Sequence, residues 1–420
     1  LRLECGYSEK DITPDGPTYL SRLGESTKSE GVHDRLYCRA LSLYSRERFT
    51  LISCDLFALS SSTVKALKEK VATAISIKPS QVAIVTTGAG STPLTTQMRG
   101  MPNPDESYMH FLEEAVLETA QESNSNLFHA TASLSMSRVP NVTKNRVYQK
   151  KADDSIVSLR LKRQDGKRIS LVNFASRPVL GPWNKEISAD FFGHVCRLYE
   201  ESGEECIYVN GATGDISPTC QPTFEEVAEM GKRVFERSRQ EGKDIIPFVV
   251  SSELTVPLET RALSPDELRA SEAEINKYLG SDEVERHTGL REGKLAEIEL
   301  KWLAEAQKTA PSQIESTATA LVLSPDFAIA GFSGELFSSI AELVKLGSPI
   351  PGTAVAGFAN GYVGYIMSDQ ELGLSVFEAT RAYRYFSALP LSTGSGKRVA
   401  KALLKAITEA AGKIDLERMP

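Results

Sequence analysis

Six segments of this 420-residue chain concentrate residue types able to do chemistry. They are Ser53-Cys54-Asp55, Thr86 through Pro93, Ala175-Ser176-Arg177-Pro178, Asn210 through Pro218, Ser333-Gly334-Glu335 and Asn360 through Tyr365. Each follows a short apolar run and is rich in Gly, Ser or Asn around one or two charged or hydroxyl-bearing side chains. Arg177 offers a fixed cation, and a glycine-rich turn such as Gly88-Ala89-Gly90-Ser91 can aim backbone N–H groups at an anion. With Arg146, these groups make a grip for a carboxylate, sulfate or phosphate. Ser217 offers a hydroxyl beside Asp215, but as a nucleophile it needs a base within hydrogen-bond reach and an oxyanion hole. Otherwise Ser217 is a polar pocket or capping residue and Asp215 caps a turn. Any one segment alone reads equally as an ordinary strand-to-helix turn.

The elements that position them read as alternating strands and helices. Apolar runs at 50–54, 82–85, 170–174, 206–209, 327–330 and 353–357 predict strands covered on both faces. Amphipathic spacing predicts helices at 62–75, 111–119, 189–200, 223–237 and 398–410, with Thr223 and Glu226 as a capping box. The fold class expected is α/β, a mixed sheet sandwiched by helices. Sites in such folds form where strands stop, so six loops after six strands predict one shared pocket. The stretch 264–310 departs from the pattern: it is highly charged and helical, with Ser264, Pro265 and Glu267 forming a helix start. It predicts a solvated hairpin of two helices inserted between strands at 249–258 and 318–323, as surface decoration, an oligomer contact or a lid. The whole of 1–420 is read as a single domain.

Composition narrows the function. Lys+Arg number 48 against 55 Asp+Glu, a net charge of −7. No basic stripe occurs, which argues against nucleic acid as a partner. No apolar run reaches the ~18 residues of a membrane span. Six scattered cysteines, without a Cys-x-x-Cys pair, do not fix a redox compartment. The chain opens at Leu1 rather than Met, so a removed leader, and with it a secreted or periplasmic site, stays open. Oligomeric state is not legible.

At the six loops the chain resembles the catalytic domain of the neutral/alkaline non-lysosomal ceramidase family. The resemblance runs from Gly6 to about Ala410, through Asp11-Ile12-Thr13-Pro14, Gly31 to Tyr37, Ser53 to Leu56, Asn145-Arg146, Leu171 to Ala175, Ile187 to Asp190, Asn210 to Pro218, Gly334-Glu335 and Asn360 to Tyr365. The family's C-terminal β-sandwich domain has no counterpart within 1–420. The resemblance implies a zinc amidase that cleaves the N-acyl bond of ceramide, its metal held by two histidines, a glutamate and a tyrosine. Such a metal acidifies bound water toward pKa ~7 and polarises the amide carbonyl.

The departures decide what is carried over. The first zinc histidine falls on Gly88, the assisting histidine on Gly90, beside Ser91, and the second zinc histidine on Arg177. The assisting tyrosine falls on Phe377. Glu335 and Tyr365 match the remaining two ligands, and Ser217 and Arg146 match their counterparts. Two oxygen ligands do not make a zinc site, and a guanidinium repels the dication. The five histidines, His33, His110, His129, His194 and His287, fall elsewhere. The cofactor expectation is therefore none, with the family's zinc absent. If the pocket geometry is inherited, returning histidine to 88, 90 and 177 restores metal binding. The partner expected is a small-molecule ligand, anionic or sugar-like.

Three readings follow. One is a ceramidase-like protein with a degenerate zinc site and no ceramidase activity that binds a small polar or anionic ligand at Arg177, Glu335, Tyr365, Ser217, Arg146, Gly88, Gly90, Ser91, Asp215 and Phe377. A second is a metal-independent hydrolase or lyase using Arg177, Glu335, Tyr365 and Ser217. The third is an amide hydrolase with a non-standard metal site.

Overall fold

A computed structural model of the chain describes residues 2–21, 28–148, 150–181, 183–285 and 289–414. Its core is a pair of stacked sheets. In the larger, the strands run in the order Glu205–Asn210, Arg168–Phe174, Ser155–Arg163, Phe128–Arg138, Leu3–Asp11, Tyr37–Tyr44, Arg48–Cys54 and Val82–Thr86. The pairs at its two ends are parallel and the interior is antiparallel. The smaller sheet runs Val250–Glu259, Gln313–Ser324, Phe327–Phe332, Gly352–Ala356, with a parallel last pair.

Continuous apolar strands serve two cores at once, because successive side chains point to opposite faces. Phe49, Leu51, Ala83 and Val85 face inward, meeting Leu321, Leu323 and Ile329 of the other sheet. Ile52, Cys54, Val82 and Ile84 face outward, under the helices Ser61–Ala74 and Glu106–Ser125. Helices Asp190–Glu201 and Phe224–Ser238 cover the other half of that face. Helices Ser338–Gly347 and Ser395–Ala411 cover the smaller sheet. The architecture is mixed α/β, as expected, but its core holds two large sheets where the sequence suggested one. The antiparallel strands Leu3–Asp11, Phe128–Arg138 and Ser155–Arg163 carry many polar residues and give no apolar run to read.

The insertion holds helices Pro265–Tyr278 and Glu292–Ala306, the first opened by the expected Ser264–Glu267 capping box. It is less solvated than its charge suggests. Leu295, Ala296, Glu299, Trp302, Leu303 and Ala306 fall on one buried stripe of the second helix. Glu299 ends among Arg381 (2.8 Å), Arg384 and the hydroxyl of Tyr385 (2.8 Å), and Trp302 donates to the carbonyl of Ala388 at 2.8 Å. The hairpin therefore anchors the 377–389 segment, which reaches the strand tips. Residue His287 lies outside the described residues. Among the described residues no helix is long and apolar enough to cross a membrane.

Candidate functional site

The six strands that end in small polar loops all end together. Thr87 donates its N–H to the carbonyl of Cys54 (3.1 Å), Thr86 to Phe358 (3.2 Å), Gly211 to Phe174 (3.1 Å), Gly357 to Asn210 (3.2 Å) and Ala359 to Phe332 (2.9 Å). Asn210 locks the junction: its amide donates to the carbonyls of Thr87 (2.7 Å) and Ser176 (3.1 Å) and accepts from Gly211 N–H. Here a cleft of about 230 Å³ opens.

Its floor is polar. Arg177 Nη2 donates to the hydroxyl of Tyr365 at 3.0 Å, and Tyr362 donates its hydroxyl to Glu335 Oε1 at 2.7 Å. Glu335 and Tyr365 share a short parallel strand pair, so the two side chains arrive in register. Ser217 and Thr213 complete the floor. Much of the rest of the lining is aromatic, and Tyr362 joins it to the floor. Phe358 and Tyr362 lie nearly parallel, 11° apart with centroids at 5.7 Å, and Phe57 and Phe386 close on them edgewise or at a tilt.

Burial and charge act against each other at the floor. Burial pulls the Arg177 guanidinium down, but Tyr365, Glu335 and Glu378 outweigh it and hold the group firmly protonated. Burial pushes the Glu335 carboxyl up, offset in part by Arg177 and by the Tyr362 hydrogen bond. Burial also raises the Tyr365 phenol, against the pull of Arg177, so it stays neutral. Arg177 and Glu335 attract across the floor while each hydrogen-bonds a tyrosine.

Of the ten residues singled out in the sequence, Arg177, Glu335, Tyr365, Ser217, Gly88 and Gly90 line the cleft. The other four lie off it. Arg146 turns away, donating to Glu378 from Nε (2.9 Å) and Nη2 (2.6 Å) and to the carbonyl of Gly214, with Ser217 Oγ 3.5 Å from Nη1. Asp215 is buried behind the floor, accepting from the N–H and hydroxyl of Ser338, each at 2.7 Å. Ser91 accepts from the amide of Asn184 at 2.9 Å. Phe377 packs toward the insertion, against Leu295, Ile298 and Tyr385. The N–H of Gly88 is spent on the carbonyl of Leu56 at 3.0 Å, so it is not offered to an anion.

Sequence reasoning missed Tyr362, Glu378 and the aromatic wall. Tyr362 lies within the Asn360–Tyr365 loop, but nothing in its spacing tells it from a core tyrosine. Glu378 adjoins Phe377, and its partner Arg146 is 232 positions away.

Neither a protein-family model nor a curated protein sequence matches the chain. Solved structures do. Neutral ceramidase from Pseudomonas aeruginosa superposes with a TM-score of 0.72 at 15% identity, covering 100% of this chain and 76% of that one. The fold is that of a neutral ceramidase. A ceramidase complexed with C2 gives 0.73 at 14% identity, over 100% and 77% of the two chains. At such identity the likeness to these ceramidases is one of fold.

The zinc that the ceramidase resemblance implies does not fit the residues present. Gly88 brings no donor, and its φ of +81° is a conformation that L side chains avoid. A Cβ there would lie 3.1 Å from two ring carbons of Phe358, so the ring fills the space an imidazole would need. Returning histidine to position 88 therefore meets backbone and ring together, against the expectation drawn from an inherited geometry. Arg177 holds its charge against Tyr365, one of the two remaining oxygen donors. Among the described residues no group of three or more His, Cys, Asp or Glu is placed to hold a metal. His33 stacks on Phe224, His110 and His129 sit beside Glu114 and Glu4, and His194 bonds Arg197.

Proposed function

We propose that this protein is a ceramidase-fold ligand-binding protein. Its strand-tip cleft takes a small polar molecule and does not run zinc-dependent amide hydrolysis. The observation that carries this reading is the 3.0 Å hydrogen bond from Arg177 to Tyr365. A permanent cation stands where a dication would have to sit, and it uses a donor that the dication would need. The Phe358 ring against Gly88 supports the same reading from the other side of the cleft. Ser217 gives little support to a nucleophilic route, because the side chain recorded beside its hydroxyl is Arg146, a cation and not a base.

The test is direct. The purified chain is incubated with a short-chain ceramide, with added zinc or with chelator, and released fatty acid is measured. The expected result is no release above buffer in either condition. Zinc-dependent release that disappears with chelator overturns the proposal.

A further inference from the structure

Resting on that reading, we infer that the ligand is an uncharged, hydroxyl-rich ring, in size a single pyranose unit, held with one face on the aromatic wall and its hydroxyls on the polar floor.

Size comes first. At about 230 Å³ the cleft is smaller than the ~300–1,000 Å³ pockets that enclose drug-sized molecules. One ring with its substituents fills it.

Charge comes next. Among the described residues lining the cleft, one is a cation, Arg177, and one an anion, Glu335. Directly behind them Arg146 and Glu378 form a second closed pair. An anionic ligand would add a negative charge to a site whose one lining cation is already balanced by Glu335. It would also compete with Tyr365 for Arg177 and leave Glu335 uncompensated. The N–H of Gly88 is already bonded to the carbonyl of Leu56 and is not offered to an anion. An uncharged hydroxyl suits every floor group: it accepts from Arg177, donates to Glu335, and does either with Ser217 and Tyr365.

The wall supplies the other half. Phe358 takes φ +52°, a conformation strained for a bulky residue, and Asn360 follows at +59°. The strained turn sets the Phe358 ring parallel to Tyr362, with Phe386 brought in edge-on to Tyr362 from the segment that the insertion anchors. Phe57 and Phe386, the half-buried rings of the lining, offer apolar surface to the C–H face of a ring whose edge hydroxyls reach the polar floor.

The experiment is calorimetric titration of the full chain with methyl pyranosides of the common hexoses, each paired with its uronate, and with inorganic phosphate. At least one neutral pyranoside is expected to bind, with its uronate at least tenfold weaker and phosphate silent. Raising the salt concentration should leave the sugar affinity unchanged. Phe386→Leu keeps most of the packing volume while removing the aromatic face. Phe386→Ala removes both, and each should weaken the sugar at least tenfold with the melting curve still cooperative. Binding of uronate or phosphate more tightly than the matched sugar overturns the ligand class and leaves the ligand-binding reading standing. So does silence across the whole panel. Sugar affinity unchanged in both Phe386 variants overturns the placement on the wall. Zinc-dependent ceramide hydrolysis is a separate failure, and it strikes the underlying reading alone.

Discussion

Replacing Gly88 by alanine measures how firmly the place of the first family histidine is closed. An L residue held at φ +81° pays about 1–2 kcal/mol of backbone strain. The new Cβ would also stand 3.1 Å from Cε2 and Cζ of Phe358 and 3.5 Å from the amide nitrogen of Asn210. Phe358 has little freedom to withdraw, being itself at φ +52° and packed on Phe57 and Tyr362, so relieving the contact adds about 1–3 kcal/mol. Gly88→Ala should therefore cost roughly 2–5 kcal/mol. Gly90, two residues on, is the control. Its backbone is not left-handed, and the nearest heavy atom to an added Cβ is 3.8 Å away, so Gly90→Ala should stay within about 0.5 kcal/mol. Urea unfolding followed by fluorescence gives both midpoints. Adding Phe358→Ala to each background removes the ring contact and leaves the strain. A coupling of about 1 kcal/mol or more is expected with Gly88→Ala, and none with Gly90→Ala. Equal, small losses at the two glycines would show that position 88 is not closed to a side chain.

Other expected outcomes follow from the charges around the site. Glu299→Gln removes the buried carboxylate that Arg381 and Arg384 share, leaving them Glu292 and Glu274, and should cost about 1.5–3 kcal/mol. Limited proteolysis should then cut within 264–310 well before the rest of the chain. Burial raises the Glu378 carboxyl, but Arg146 and Arg177 overcome that and hold it below the usual glutamate range. Its stabilising contribution is therefore complete above about pH 4.3 and fades as pH falls through the depressed value. The stability gap between the native chain and Glu378→Gln should be flat from pH 8 to 5 and shrink below, as read by thermal melts across pH. Ser217→Ala should weaken pyranoside binding by about two- to tenfold, the loss of one ordinary hydrogen bond on the floor; unchanged affinity would show that the ligand does not reach Ser217.

What was legible in the sequence depended on how local the signal was. The apolar strands ending at Cys54, Thr86, Phe174, Asn210, Phe332 and Ala356 declare themselves because both faces are buried. The half-polar strands Leu3–Asp11 and Phe128–Arg138 do not, and with them the division into two sheets was hidden. The cap at Ser264 was readable from three residues, whereas the burial of Glu299 depends on Arg381 and Arg384, more than 80 positions later. In the site, Arg177, Glu335 and Tyr365 stand out because a resemblance marks their positions. Arg146 and Asp215 carry the same residue types, yet the fold turns them onto Glu378 and Ser338. Such pairings across the chain leave no periodicity to read. Phe358 is the plainest case: only its backbone angle and its approach to Gly88 show why it is there.

The proposed function requires Arg177 to hold ground that a metal would need, which anomalous diffraction at the zinc edge from crystals soaked in zinc can check. The expected map shows no peak between Glu335 and Tyr365, with Arg177 still bonded to the tyrosine hydroxyl. An anomalous peak coordinated by Glu335 and Tyr365, with the guanidinium swung aside, would contradict it.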